Sequence, residues 1–173
     1  MTWQRAFTYW ACFGVLGVFY LLVLREPPRP TPEHLTRAPF LSLAENEIEA
    51  LDLRRGATTI RCRRVDGRWQ VVEPAARQVP SDLVTALIAN LTQLPEVEVV
   101  DDGGGDLGQF GLNPPVSQMT LIMTGGKVVH LRLGSRNPSG TAIYAQRDDS
   151  RRVFLIGLNV RYYEDLLFQG VGA

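Results

Sequence analysis

The sequence predicts an α+β chain: one N-terminal transmembrane helix, then a mostly antiparallel sheet domain with two helices. Three observations predict it. An uncharged run of 19 residues, Ala6 to Leu24, opens the chain. Strand-period alternation recurs through the remainder, and helix-period apolar stripes occur twice, each closing a series of strands. The chain of 173 residues divides into an anchor at 1–25, a proline-rich tether at 26–40 and a soluble domain at 41–173. That last segment is close to the common domain size and can bury a core without disulfides or metal.

The run Ala6–Leu24 spans roughly 28 Å as a helix, close to the ~30 Å hydrocarbon core of a bilayer. Trp3, Tyr9, Trp10 and Tyr20 lie toward its ends, where an aromatic belt would place them. Trp3, Trp10 and Tyr20 are candidate membrane-interface residues, and Gly14 and Gly17 are candidate helix-contact positions. Arg25-Glu26-Pro27-Pro28 follows the run instead of a small-x-small cleavage site, so we read an uncleaved anchor. Residues 25–39 carry five prolines, which favours an extended polyproline spacer of roughly 40 Å.

Beyond the tether, Ile48–Arg54 and Thr58–Val65 alternate as strands, with Ile60 and Cys62 inward against Arg61 and Arg63. Asp66-Gly67 is the signal for a type I′ hairpin into a third strand, Arg68–Glu73. Ser81 is placed to cap a helix running to Leu94, whose stripe is Leu83, Val84, Leu87, Ile88, Leu91 and Leu94. A short strand Glu96–Val100 precedes a glycine- and proline-rich crossing, Gly103 to Pro115. Met119, Leu121 and Met123 alternate inward, and Val129, Leu131 and Leu133 alternate back after Gly125-Gly126. Thr141–Gln146 and Val153–Gly157 add two strands. Asn159 is placed to cap a last helix with Tyr163, Leu166 and Leu167 as its apolar side and Gly170 as its stop. The order is thus β-β-β-α, then β-β-β-β-β-α, with both helices expected on one face.

Charge excludes one class of function. The chain carries 18 basic and 18 acidic residues, and beyond residue 30 the balance is 15 against 17. A general nucleic-acid binder needs a basic footprint that this domain lacks. The two cysteines, Cys12 in the apolar run and Cys62 in a strand, are not placed to pair.

Motifs for catalysis are weak. Gly103, Gly105 and Gly108 form a literal G-x-G-x-x-G, but Asn113-Pro114-Pro115 forbids the helix that a dinucleotide needs. Asp101, Asp102 and Asp106 would moreover repel phosphate, so this is read as a flexible loop. His34 sits in the tether and His130 on the Arg132 side of a strand, too few for a triad or a zinc site. Asp148-Asp149 in a turn and Glu164-Asp165 on a helix surface read as solvated charge. We therefore expect no catalytic residue, cofactor site or metal site, and no enzyme.

The feature least like background is an arginine cluster: Arg54, Arg55, Arg61, Arg63, Arg64 and Arg68 within 15 residues. Arg61, Arg63, Arg68, Arg54 and Arg55 are the candidate contacts to an acidic partner surface or to lipid headgroups. The alternative is a solvated strand face balanced by nearby acids.

Several segments together resemble the bacterial DUF4340 family (domain of unknown function). They are Gly67-Arg68-Trp69-Gln70-Val71-Val72-Glu73-Pro74, the leucine-rich helix through Leu94, and Phe110-Gly111-Leu112-Asn113-Pro114-Pro115. Leu131-Arg132-Leu133-Gly134, Gly140-Thr141-Ala142-Ile143-Tyr144-Ala145 and Val153-Phe154-Leu155 complete the resemblance, which covers Ile48 to Phe168. Phe110 stands where tyrosine is common. The resemblance brings no catalytic residues. It implies an N-terminal membrane helix, an extracytoplasmic domain, and neighbours of the gliding-motility type of ABC transporter. Arg5 against Arg25, Arg29 and Arg37 leans the other way, toward a cytoplasmic domain. The expectation is a bacterial inner-membrane, single-pass protein with a periplasmic domain.

These readings converge on a non-enzymatic accessory or scaffold subunit of a larger membrane complex, its partners being complex subunits and the lipid bilayer. The alternatives are an extracytoplasmic ligand- or substrate-binding module of an ABC-type transport system, and an accessory subunit of a photosynthetic or respiratory complex.

Overall fold

A computed structural model of the chain describes Trp3, Trp10 and residues 37–74, 79–94 and 97–172. Among these, no helix is long and apolar enough to cross a membrane. The expected anchor 6–24, with Gly14, Gly17 and Tyr20, lies outside the described residues except for Trp10. Trp3 and Trp10 are helical and exposed. A compact unit runs from Leu35 to Ala173.

Its elements are β1 (Arg37–Ala38), β2 (Ile48–Arg55), β3 (Thr58–Val65), β4 (Arg68–Glu73), α1 (Ser81–Thr92) and β5 (Val97–Asp101). After them come β6 (Ser117–Met123), β7 (Val128–Arg136), β8 (Ala142–Arg147), β9 (Val153–Gly157) and α2 (Leu158–Gly172). The strands form one nine-stranded sheet in the order β1-β5-β9-β8-β7-β6-β2-β3-β4. Every pairing is antiparallel. The two series of strands join at the β2–β6 pair, where Leu51 faces Leu121 and Leu53 faces Met119.

Alternation decides which side is buried. Leu51, Leu53, Ile60, Met119, Leu121, Leu131, Leu133, Ile143 and Phe154 turn inward. Val84, Leu87, Ile88 and Leu91 of α1 and Val160, Leu167 and Val171 of α2 meet them in a single core. Each such side chain stabilises by roughly 1.5–3 kcal/mol through burial. Asp52, Arg54, Arg61, Arg63, Thr120, His130 and Arg132 occupy the alternate positions, on the sheet face away from the helices.

Several local expectations change. Arg37–Ala38, read in the sequence as tether, add a two-residue edge strand beside β5. Phe40 is fully buried and stacks edge-on against Phe154 at 5.4 Å, so burial of one aromatic ring draws the end of the tether into the domain. Ser81 does not cap α1: it is the first helical residue, and its hydroxyl accepts a hydrogen bond from the Trp69 amide at 3.0 Å. That bond closes part of the free edge of β4. Asn159 lies inside α2, and the helix passes Gly170 to end at Gly172.

The Asp66-Gly67 hairpin is as expected, with φ of 50° and 77° at its two central residues. The crossing from Gly103 is tied down by its own acids. Asp101 accepts from the Gly103 amide at 2.6 Å, and Asp106 accepts from the Gly108 amide at 2.9 Å. Carboxylates thus occupy amides that a phosphate would need.

Candidate functional site

The arginine cluster is divided by the hairpins that carry it. Arg54 pairs across with Thr59 at one end of the β2–β3 hairpin, and Val65 pairs with Arg68 at the other end of β3. Six residues of strand separate the two positions, roughly 20 Å. Strand parity puts Arg54, Arg61, Arg63 and Arg68 on the outer face. Arg55 falls on the helix side, and Arg64 lies across from Trp69.

Outer-face cations are partly spent. Arg61 contacts Glu73 at 2.6 Å, and Arg63 contacts Asp52 at 2.7 Å while also donating to the Cys62 carbonyl at 3.0 Å. The Arg61 and Glu73 side chains are each about half exposed, 50% and 48%, so water screens the pair and its worth is about 1 kcal/mol or less. Arg54 donates at long range to the Gly56 carbonyl, 3.5 Å. Among the described residues Arg64 and Arg68 make no ion pair. What remains for a partner is therefore Arg54 and Arg68 at opposite ends of the outer face, with Arg64 on the Trp69 side, not a continuous patch.

His130 accepts or donates across the strands to Thr120 Oγ1 at 3.0 Å. Asp148 pairs with Arg132 at 3.0 Å and Asp149 with Arg147 at 2.9 Å. Near the β3–β4 turn, an open hollow of about 710 Å³ is floored by Ala50 and Ile122 and bordered by Asn46, Glu49, Arg63 and Arg64.

Arg55 belongs to a different structure. Its guanidinium lies 2.7 Å from Asp165 and 3.0 Å from Glu164 on α2, and 4.5 Å from the Phe168 ring centre. Glu164, expected on a solvated helix surface, is fully buried. It accepts from Arg161 at 2.7 Å. Arg161 also donates to Ser117 Oγ at 3.1 Å and to the Gly134 carbonyl at 2.7 Å. The Arg55 Nη2 and Glu164 Oε1 atoms are close but out of line for a hydrogen bond, so theirs is a charge contact. Burial lowers the pKa of Arg161, more than the charge of Glu164 raises it. For Arg55 burial acts downward as well, but Glu164 and Asp165 prevail and the pKa is raised.

Sequence reasoning missed this group. The signal was present: Val160, Arg161, Glu164, Leu167 and Val171 all fall on the buried stripe of α2. Three of those five are apolar, which is enough to place an Arg–Glu pair in the core.

The turn Phe110–Pro115 is held against β7. Gly111 has φ of +65°, a left-handed conformation that favours glycine, and sits against the Ser135 backbone. Ser135 donates to the Phe110 carbonyl at 3.1 Å. A Cβ on Gly134 would run into that same Phe110 carbonyl oxygen. The ring of Phe110 meets Tyr144 at 4.9 Å. The model of the domain of unknown function DUF4340 matches residues 69–167, more than half of the chain. The chain belongs to the DUF4340 family. No curated protein and no solved structure matches it. In this DUF4340 domain the Phe-Gly-Leu-Asn-Pro-Pro turn and the Leu-Arg-Leu-Gly strand end meet at Phe110 and Gly134. Arg161 then ties Gly134 to the last helix. These motif residues are committed to one another, a structural use of the positions that carried the resemblance.

Proposed function

We propose that the chain is a non-enzymatic, single-pass accessory subunit of a bacterial membrane complex, with its DUF4340 domain held outside the inner membrane on the periplasmic side. The observation that carries this is the 19-residue uncharged run with aromatic residues toward its ends, followed by five prolines and then a sheet domain. The use of charge in the domain supports it. Arg161, Glu164 and Arg55 bind helix to sheet, and Asp101 and Asp106 order their own loop.

The test is purification of the native protein in mild detergent, with quantification of what accompanies it. A constant stoichiometric set of other membrane proteins is expected. Recovery of the chain alone, as a monomer or with copies of itself only, would overturn the proposal. A cysteine placed at the exposed Gly126 and probed with an impermeant thiol reagent in whole cells tests the side of the membrane. Labelling is expected there, and protection until lysis would reverse the orientation.

A second reading, a ligand-binding module of an ABC-type transport system, draws on the hollow bordered by Arg63, Arg64, Asn46 and Glu49. It requires a small anionic or amphipathic ligand to protect these residues from modification or exchange.

A further inference from the structure

Leu51 and Leu53 of β2 turn inward, and strict alternation would send Glu49 into the core after them. A break in register prevents this. Against β6, Ile48 faces Met123 and Ala50 faces Ile122, so Glu49 is an extra residue without a partner there. In this β-bulge Ile48 takes the buried place and Glu49 is turned out to solvent. On its other side β2 leaves β3 early. Their pairs run from Arg55–Thr58 to Ala50–Arg63, although β2 begins at Ile48 and β3 continues to Val65. The two strand ends part, and the open hollow of about 710 Å³ lies where they do.

Its floor is apolar and its rim is polar. Ala50 is only 3% exposed, and Ile122 lies beside it in the β2–β6 pair. Asn46 and Glu49 border the hollow from the β2 side, Arg63 and Arg64 from β3. The walls are held by bonds of their own. The Thr124 amide and hydroxyl both donate to the Glu47 carbonyl, at 2.7 and 3.2 Å, which ties the end of β6 to the start of β2. Arg63 is held by Asp52. Glu49 and Arg64 are exposed, and among the described residues neither makes an ion pair. A free anion and a free cation thus border one apolar floor.

We propose that the hollow binds a small zwitterion with an aliphatic side chain, a free α-amino acid or a short peptide. Arg64 receives the carboxylate, Glu49 and the Asn46 Oδ1 receive the ammonium, and Ala50 and Ile122 take the side chain. Other ligand classes fit less well. An anion alone would pair with Arg64 but meet Glu49 as a like charge, and a cation alone would reverse the fault. An uncharged apolar molecule would take water from both charges and pair neither. The proposal rests on the ligand-binding reading of this hollow and narrows it to one class.

The experiment is calorimetric titration of the full chain in mild detergent. Leucine or leucyl-leucine should bind, and the tighter of the two names the source as a free amino acid or a peptide. N-acetyl-leucine lacks the ammonium and leucine amide lacks the carboxylate, so each should bind at least roughly tenfold more weakly. Glu49→Gln should abolish the preference over N-acetyl-leucine, and Arg64→Gln the preference over leucine amide. Circular dichroism should be unchanged in both, since both side chains are exposed. These preferences are a readout that a merely structural role would not move. Binding of N-acetyl-leucine or leucine amide as tight as that of leucine would overturn the zwitterion and leave the ligand-binding reading standing. No binding by any of the four probes, or preferences that survive both variants, would also overturn the proposal.

Discussion

Arginine meets carboxylate in two regions of this domain, with opposite consequences. On the outer sheet face, Arg61 with Glu73 and Arg63 with Asp52 are contacts of 2.6 and 2.7 Å between partly exposed side chains. Under α2, Arg161 with Glu164 is also 2.7 Å, but Glu164 is fully buried and Arg161 nearly so. Distance is the same and solvent is not. At the surface, water and salt screen most of the attraction and losing one partner strands nothing. In the core, loss of one partner leaves a charge with no water to receive it. Counting arginines in the sequence draws the eye to the first region, while the second holds helix to sheet.

The largest expected effect breaks the buried group from one side. Arg161→Ala removes the partner of Glu164 and frees the Ser117 hydroxyl and the Gly134 carbonyl, costing about 3–5 kcal/mol in urea unfolding. Arg161→Met with Glu164→Leu should recover most of that loss, since apolar groups of similar volume often replace a buried pair at little cost. If Arg161→Ala cost under about 1 kcal/mol, the contrast between the two regions would fail.

Next in size is Gly134→Ala. Its Cβ must displace the Phe110 carbonyl, and with it the turn that Ser135 holds, at about 1–3 kcal/mol. The same substitution at Gly126, exposed in the β6–β7 turn, meets no atom within 4 Å and carries only the penalty of its positive φ, 84°. A loss at Gly134 no larger than at Gly126 would mean that close approach to the turn is unimportant.

These two sites show what was legible in the sequence. The strands of the β2–β3–β4 meander were readable because Ile60, Cys62 and Trp69 alternate with exposed polar residues. Helix α1 was readable because Val84, Leu87, Ile88 and Leu91 are all apolar. Helix α2 was legible with its facing in part: Leu167 and Tyr163 of the expected apolar side meet the core, and Leu166 does not. Two of its core positions carry Arg161 and Glu164, which an apolar period cannot mark, so the expected side of Tyr163, Leu166 and Leu167 was turned slightly toward Leu166. β1 has two residues and no alternation, and its membership depends on Phe40 reaching Phe154, a contact 114 positions away in sequence. Likewise the β2–β6 pairing is long-range and leaves no local pattern. The arginine cluster was visible as composition; its division between two faces and two hairpin ends required the register.

Cys62 sharpens the comparison with a third kind of charge. Burial, together with the nearby Asp52, pushes its thiol pKa up to about 12, although Arg63 acts the other way. The folded state therefore holds the proton more tightly than the unfolded chain, whose thiol titrates near ~8.5. Stability from this group is complete below the unfolded value and is lost as pH rises from there toward about 12. Cys62→Val should remove that alkaline decline. In the Cys12→Ser background a thiol reagent at pH 8 should label Cys62 only when denaturant is added. Rapid labelling of the folded chain would mean that the inner side of β3 is open.

The smallest effect tests the surface arginines directly. Arg61→Gln and Arg63→Gln should each change stability by about 1 kcal/mol or less, and a double-mutant cycle of Arg61 with Glu73 should give a coupling in the same range. High salt should shrink it further. A larger coupling would show that Arg61 is less solvated than its half exposure implies, and the division between the two regions would weaken. Small effects on stability also make these positions informative about binding. If Arg61→Glu with Arg63→Glu leaves the fold intact yet reduces recovery of a membrane complex, the loss belongs to docking, because folding depended so little on either residue. If recovery is unchanged, the outer arginines are solvated strand residues balanced by Glu73 and Asp52. A contact surface of the domain then lies away from Arg61 and Arg63.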